Sequence, residues 1–167
     1  KKAWLAPPGF HASRDADSKT YKYVIHNSPR PTALRRNLTY WVRRPLNVEI
    51  LNGYSKIIEG FHDFKSFQNS GGSVKTTERE ILSACWIRKS KSTVVFEIHG
   101  KGFLKQMVRN LVGTMLDLEA ENAPIKVFQD ILASRDRQKA RTTAPAAGLF
   151  LQRIYYPQSL DNKCRKL

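Results

Sequence analysis

The stretch Gly100-Lys101-Gly102-Phe103-Leu104-Lys105-Gln106-Met107-Val108-Arg109-Asn110-Leu111-Val112-Gly113 constrains this chain more than any other. Just before it, Val94, Phe96 and Ile98 alternate with Val95, Glu97 and His99, which is the period of a strand. From Phe103 the period turns helical, with Phe103, Met107, Leu111, Met115 and Leu118 on one stripe, predicting a helix over about 103–119. The chain must pass from strand to helix within a few residues, and Gly100 and Gly102 are expected to supply positive φ there. Arg109 is expected in the second turn, and Gly113 shares its face four residues on. A mid-helix glycine costs about 1 kcal/mol relative to alanine. A helix accepting both is expected to present a cation beside a small gap, although an arginine snorkelling along a core would give the same pattern.

Charge is the next constraint. Against 14 acidic residues the chain carries 29 basic ones, a net charge of +15. A field of that sign favours polyanions, nucleic acid before anionic membrane. Residues 1–44 hold ten basic and two acidic residues, so this part supplies +8 of the total. A hydrophobic content of 41% is that of a globular chain and excludes disorder as a class. Cys85 and Cys164 have no metal-binding spacing and make no disulfide framework, which fits a reducing, cytoplasmic compartment. No apolar run approaches membrane-spanning length, and no secretory leader pattern is present. The chain opens Lys1-Lys2-Ala3-Trp4 without Met and reads as a part of something longer.

Taken in order, Pro7, Pro8 and Gly9 make the first residues extended or turning. Residues 20–27 read as a strand, with Lys19, Tyr21, Tyr23 and Ile25 on one face and Lys22, Val24 and His26 on the other. Tyrosines beside lysines suit base stacking next to phosphate, and they equally suit packing in a sheet. Arg35, Arg36, Arg43 and Arg44 follow, interleaved with Tyr40 and Trp41. Asn47 is a predicted helix cap, with Ile50, Leu51, Tyr54, Ile57 and Ile58 at helical spacing behind it. Residues 60–67 read as an aromatic loop docked on the core, with Asp63 capping a turn and His62 structural. Residues 80–89 and 93–101 are expected to form a hairpin. A helix over 125–133 is expected to bury Ile125, Phe128, Ile131 and Leu132. Residues 135–141 make a second basic patch, residues 149–156 a last strand, and residues 158–167 a basic, frayed tail. The fold class expected is α+β, a mostly antiparallel sheet with helices chiefly on one face.

Four stretches together resemble the tRNA pseudouridine synthase A family. They are Phe10-His11-Ala12 leading through Ala16 and Lys19 to Tyr21-Lys22-Tyr23-Val24-Ile25, and His62-Asp63-Phe64-Lys65-Ser66-Phe67. The others are Gly102-Phe103-Leu104-x-x-Met107-Val108-Arg109-Asn110-x-Val112-Gly113 and Ala144-Pro145-Ala146-x-Gly148-Leu149-x-Leu151. They occur in the family's order and span roughly residues 3–157. The resemblance implies an enzyme that isomerises adjacent uridines in the tRNA anticodon arm, as a homodimer, with neither metal nor organic cofactor. It implies that residues 1–157 form the C-terminal domain of such an enzyme. The family's nucleophilic Asp lies in a Gly-Arg-Thr-Asp-Ala-Gly-Val-type stretch N-terminal to all four, and this chain does not contain it.

By that resemblance Arg109 is the arginine that pairs with the nucleophilic Asp. Tyr21 is the tyrosine that stacks on the target uracil, and Leu149 is an apolar wall of the pocket. Lys19, Arg35, Arg36 and Arg137 are candidate contacts to the RNA backbone, drawn from the two basic patches. The 167 residues alone are expected to be inactive. A non-catalytic RNA-binding module using the same basic, aromatic face is the rival reading.

Overall fold

The computed structural model describes residues 3–71 and 74–166. Its strands are β1 (Trp4–Leu5), β2 (Ser18–Asn27), β3 (Tyr40–Val42), β4 (Gly60–Asp63), β5 (Glu78–Ser90), β6 (Thr93–Gly100), β7 (Leu149–Tyr155) and β8 (Arg165–Lys166). Its helices are α1 (Val48–Ile57), α2 (Met107–Ala120), α3 (Ile125–Ser134) and α4 (Gln158–Asp161). The main sheet runs β3-β2-β6-β5-β4, and β7 also pairs with β2. One edge of β2 carries β6; the other carries β7 over its first half and β3 over its last residues. Only the β2–β3 pairing is parallel in this sheet, so the expected mostly antiparallel α+β architecture is what forms.

Strand alternation decides which face is covered. Trp86, Phe96, Tyr23 and Leu149 are register partners across four strands, as are Ala84, Ile98, Tyr21 and Leu151 in the next row. Tyr23, Phe96, Ile98 and Trp86 are buried because the helices lie over them. The Trp86 indole N–H donates to the Met115 sulfur of α2 at 3.5 Å. Asn52 of α1 clamps the backbone of Trp86 through two hydrogen bonds of 2.8 and 3.0 Å. Burying these large side chains is worth roughly 1.5–3 kcal/mol each. On the opposite face Glu97 takes Lys22 at 3.5 Å and Lys89 at 3.9 Å, ion pairs suited to a wet surface.

Asn47 caps α1 as its position in the sequence predicts, accepting from the backbone N–H of Glu49 and Ile50 at 3.0 and 3.2 Å. Behind α1, Phe128 of α3 stacks obliquely on Tyr54 and Phe67. Four expectations change. Residues 60–63 are strand β4, because they pair with β5; Phe61 is 66% exposed while Phe64 and Phe67 are buried. Ile125 opens α3 on its outer side and is 47% exposed, unlike Phe128, Ile131 and Leu132. The basic tail forms α4 and then β8, which pairs with β1 in a separate two-stranded sheet. The fourth concerns the turn into α2. Gly100 and Gly102 do not take positive φ; Gln106 does, at 61°, and the helix starts only at Met107. Gly100 is needed for close approach instead, since a Cβ there would sit 2.8 Å from Ile81 Cδ1 and 2.9 Å from the Glu80 carbonyl oxygen.

Candidate active site

Because α2 starts at Met107, Arg109 lies in its first turn, not its second. Its main chain and side chain grip one residue. The Arg109 Nε donates to the Ala144 carbonyl at 2.7 Å, and the Ala144 N–H donates to the Arg109 carbonyl at 3.1 Å. Ala144 belongs to a strap, residues 141–145, that lies along α2. Arg141 N donates to Thr114 Oγ1 at 3.2 Å, and Thr142 donates through N and Oγ1 to Asp117 Oδ2 at 3.1 and 2.7 Å. The gap expected beside the cation is real and filled by this strap: a Cβ on Gly113 would overlap the Thr142 carbonyl oxygen and sit 3.0 Å from Ala144 N. Glycine is at this helical position because a backbone occupies the place of its side chain.

The strap also meets β2. Tyr23 is fully buried, and its hydroxyl donates to the Pro145 carbonyl at 2.6 Å. Burial, and then Tyr40, push the Tyr23 phenol far above its ordinary range, partly opposed by the Arg109 charge. It therefore stays a donor. Two residues earlier on the same face, Tyr21 is half-buried and meets Phe103 edge-on, ring centroids 4.9 Å apart. Burial raises its phenol too. Leu149 is the register partner of Tyr23 on β7 and packs at the margin of the core. The 3-10 turn Ala146–Gly148 joins strap to strand, and a Cβ on Gly148 would fall 2.8 Å from the Tyr23 ring. The strap thus links Arg109 to Tyr23, Leu149 pairs with Tyr23 across the sheet, and Tyr21 lies two residues from Tyr23 along the same face of β2. Among the described residues no side chain or carbonyl accepts from the two terminal nitrogens of Arg109. A cation so aimed, beside half-buried aromatic and aliphatic surface, suits an anionic group and a planar ring.

A family model of tRNA pseudouridine synthases matches residues 55–157, which take in β4, β5, β6, α2, the strap and β7. The chain belongs to the tRNA pseudouridine synthase family. The tRNA pseudouridine synthase A of Bdellovibrio bacteriovorus is 50% identical over 167 residues, covering 100% of this chain and 64% of that protein. Its counterpart from Borreliella afzelii is 42% identical over 147 residues, 88% of this chain and 59% of that protein. That of Acetivibrio thermocellus is also 42% identical over 147 residues, 88% of this chain and 60% of that protein. The chain therefore spans about three fifths of the length of the curated synthases it matches.

The candidate RNA contacts are scattered over the fold. Lys19 is on β2, two residues from Tyr21 and half-exposed. Arg35 and Arg36 are exposed on the loop after β2. The chain leaves β2 at Asn27, about 20 Å along the strand from Tyr21 at roughly 3.3 Å per residue. Arg137 is different. Its Nε donates to Asn69 Oδ1 at 3.2 Å, Nη1 to the carbonyls of Ala140 and Arg141 at 3.3 Å each, and Nη2 to Asn110 Oδ1 at 3.1 Å and Thr143 Oγ1 at 2.8 Å. A guanidinium has five N–H donors, and all five are used within the chain. Its geometry is that of a strut between Asn69, Asn110 and the strap.

Asn110 and Thr143 did not stand out in the sequence, where they read as part of a motif and as turn, and Tyr23 was open between base stacking and sheet packing. An Asn in an otherwise apolar helical stripe was the available signal. The aromatic segment around His62 and Asp63 is structural: His62 Nε2 bonds the Glu59 carbonyl at 2.8 Å, and Asp63 ties Lys65 N, Thr77 and Arg135. No group of three or more His, Cys, Asp or Glu side chains converges among the described residues. None of the described helices is long and apolar enough to cross a membrane.

Proposed function

We propose that this chain is the C-terminal part of an enzyme that converts uridine to pseudouridine in the tRNA anticodon stem-loop. The observation that carries the reading is Arg109, anchored by Ala144 through Nε with its terminal nitrogens unclaimed among the described residues. A guanidinium held this way lowers the pKa of an approaching carboxylate and fixes its direction, which a nucleophilic Asp requires. That Asp is supplied from outside these 167 residues. It forms the covalent intermediate with the nucleotide; the freed base rotates and rejoins the ribose through carbon. The target uridine leaves its stack, and Tyr21 offers the replacement stacking surface. Leu149 excludes water from the reacting bond. Lys19, Arg35 and Arg36 neutralise phosphates, each adding to the salt dependence of binding. The enzyme works in the cytoplasm as a homodimer, and these residues alone turn nothing over.

The test is pseudouridine formation in tRNA by the full-length protein. Arg109→Gln is expected to lower kcat by about a hundredfold or more, the cost of removing one preorganised electrostatic partner. An unchanged kcat removes Arg109 from the chemistry. A full-length protein that binds tRNA and forms no pseudouridine would instead be an RNA-binding module.

A further inference from the structure

Asn110 follows Arg109 in α2 and is fully buried, yet it is polar. A buried amide must be satisfied, and this one is satisfied completely. Its Nδ2 donates to the Phe67 carbonyl at 2.7 Å and to Asn69 Oδ1 at 2.9 Å. Its Oδ1 accepts from Thr143 Oγ1 at 2.6 Å and from Arg137 Nη2 at 3.1 Å. Arg137 returns to Thr143 and Asn69 and also holds the carbonyls of Ala140 and Arg141. The network closes on itself, and what it encloses is the start of the strap.

Thr143 is the residue before Ala144, the only residue among those described that grips Arg109 through its side chain. From the other end Tyr23 holds the Pro145 carbonyl. The direction of the Arg109 guanidinium is thus set by one peptide carbonyl, and that carbonyl is fixed between two anchors. We infer that Thr143, Arg137 and Asn110 are positioning residues that aim Arg109 at the nucleophilic carboxylate. The inference rests on the reading of Arg109 given above. It reassigns Arg137 from RNA contact to alignment of the catalytic cation. A fully paired polar network suits this, since Asn110 at its buried centre has every donor and acceptor taken, while Thr143 and Arg137 are half-buried at its rim. It also gives the pair Arg109-Asn110 a division of labour: the first residue faces the substrate, and the second fastens the carbonyl that aims the first.

The test uses the full-length protein and steady-state pseudouridine formation, with tRNA binding measured separately across salt concentration. Thr143→Val keeps shape and removes the hydroxyl; Thr143→Ser keeps the hydroxyl; Arg137→Lys keeps charge and loses the fork. Thr143→Val and Arg137→Lys are expected to lower kcat about tenfold to a hundredfold with KM and tRNA affinity within about twofold, the signature of misalignment. Thr143→Ser is expected to retain wild-type kcat. Wild-type kcat in both Thr143→Val and Arg137→Lys overturns the inference. So does an Arg137→Lys protein with full kcat, weaker tRNA binding and a shallower salt slope, which would make Arg137 a phosphate contact. A wild-type protein without activity, or an Arg109→Gln protein with full activity, strikes the functional reading instead and is seen before these variants are made.

Discussion

Gly113→Ala tests the packing on which the candidate site stands. On propensity alone the change should stabilise α2 by about 1 kcal/mol, because alanine is the better helix former. The structure predicts the opposite sign. The new methyl would overlap the Thr142 carbonyl oxygen and lie 2.8 Å from its carbon, with Ala144 N at 3.0 Å. All are backbone atoms, so no side chain can rotate away. Either the strap lifts or the helix shifts. Lifting the strap breaks both hydrogen bonds between Arg109 and Ala144, worth about 1 kcal/mol each, and overpacking adds about 1–3 kcal/mol. Set against the propensity gain, the net cost is about 2–4 kcal/mol. For a chain of this size that lowers Tm by about 5–15 °C. Thermal unfolding followed by circular dichroism reads it directly. A Tm equal to or above wild type would show that the strap does not lie on α2 as described, and the site geometry would fall with it.

Three further outcomes follow from individual contacts. Burial pushes the Asp63 carboxyl up, but hydrogen bonds from Thr77 and the Lys65 N–H and the charge of Arg135 outweigh it and hold the group below its ordinary range. A depressed carboxyl stabilises above its unfolded pKa and loses that contribution as pH falls through the folded one, so Asp63→Asn should flatten the acid limb of stability measured by urea unfolding below about pH 4. Glu119 is buried and accepts from Arg44 and, at 2.8 Å, from Asn47 N. Glu119→Ala is expected to cost about 2–3 kcal/mol in denaturant unfolding, since it leaves charged and backbone donors unpaired. Tyr21→Phe should retain most pseudouridine formation by the full-length protein, whereas Tyr21→Ala should lose about 1–3 kcal/mol of the stacking contribution.

The sequence was most legible where a period could be read. The alternation of Val94, Phe96 and Ile98, the Asn47 cap and the helical stripe from Met107 onward all describe local geometry, and all three form. Legibility failed where a distant element decided. Residues 60–63 became a strand because β5 was there to pair with them. Gly100 reads as a turn residue, yet its reason is the Ile81 side chain on a neighbouring strand. Gln106 carries the left-handed conformation that glycine was expected to carry, since the Met107 N–H must reach back to the Leu104 carbonyl to start α2. Arg137 is the most instructive case. Counted as charge it belonged to a basic patch, and only the positions of Asn69, Asn110 and Thr143 reveal that its donors are spent.

That last case bears on how the site is built. The stretches around Arg109 and around Ala144 and Pro145 are separate in sequence, and each alone is a weak signal. In the fold they are one object: the second is laid in the groove that Gly113 leaves open in the first, and Arg109 is aimed by it. Neither can change without the other. A larger residue at position 113 lifts the strap, a lifted strap frees the Ala144 carbonyl, and a freed carbonyl releases the guanidinium. Charge placed on a flexible side chain attracts a carboxylate from any direction. Under the proposed function, charge held by a strap that is itself held at Thr143 and at Pro145 would meet a carboxylate from one direction, which is the property a positioned nucleophile needs.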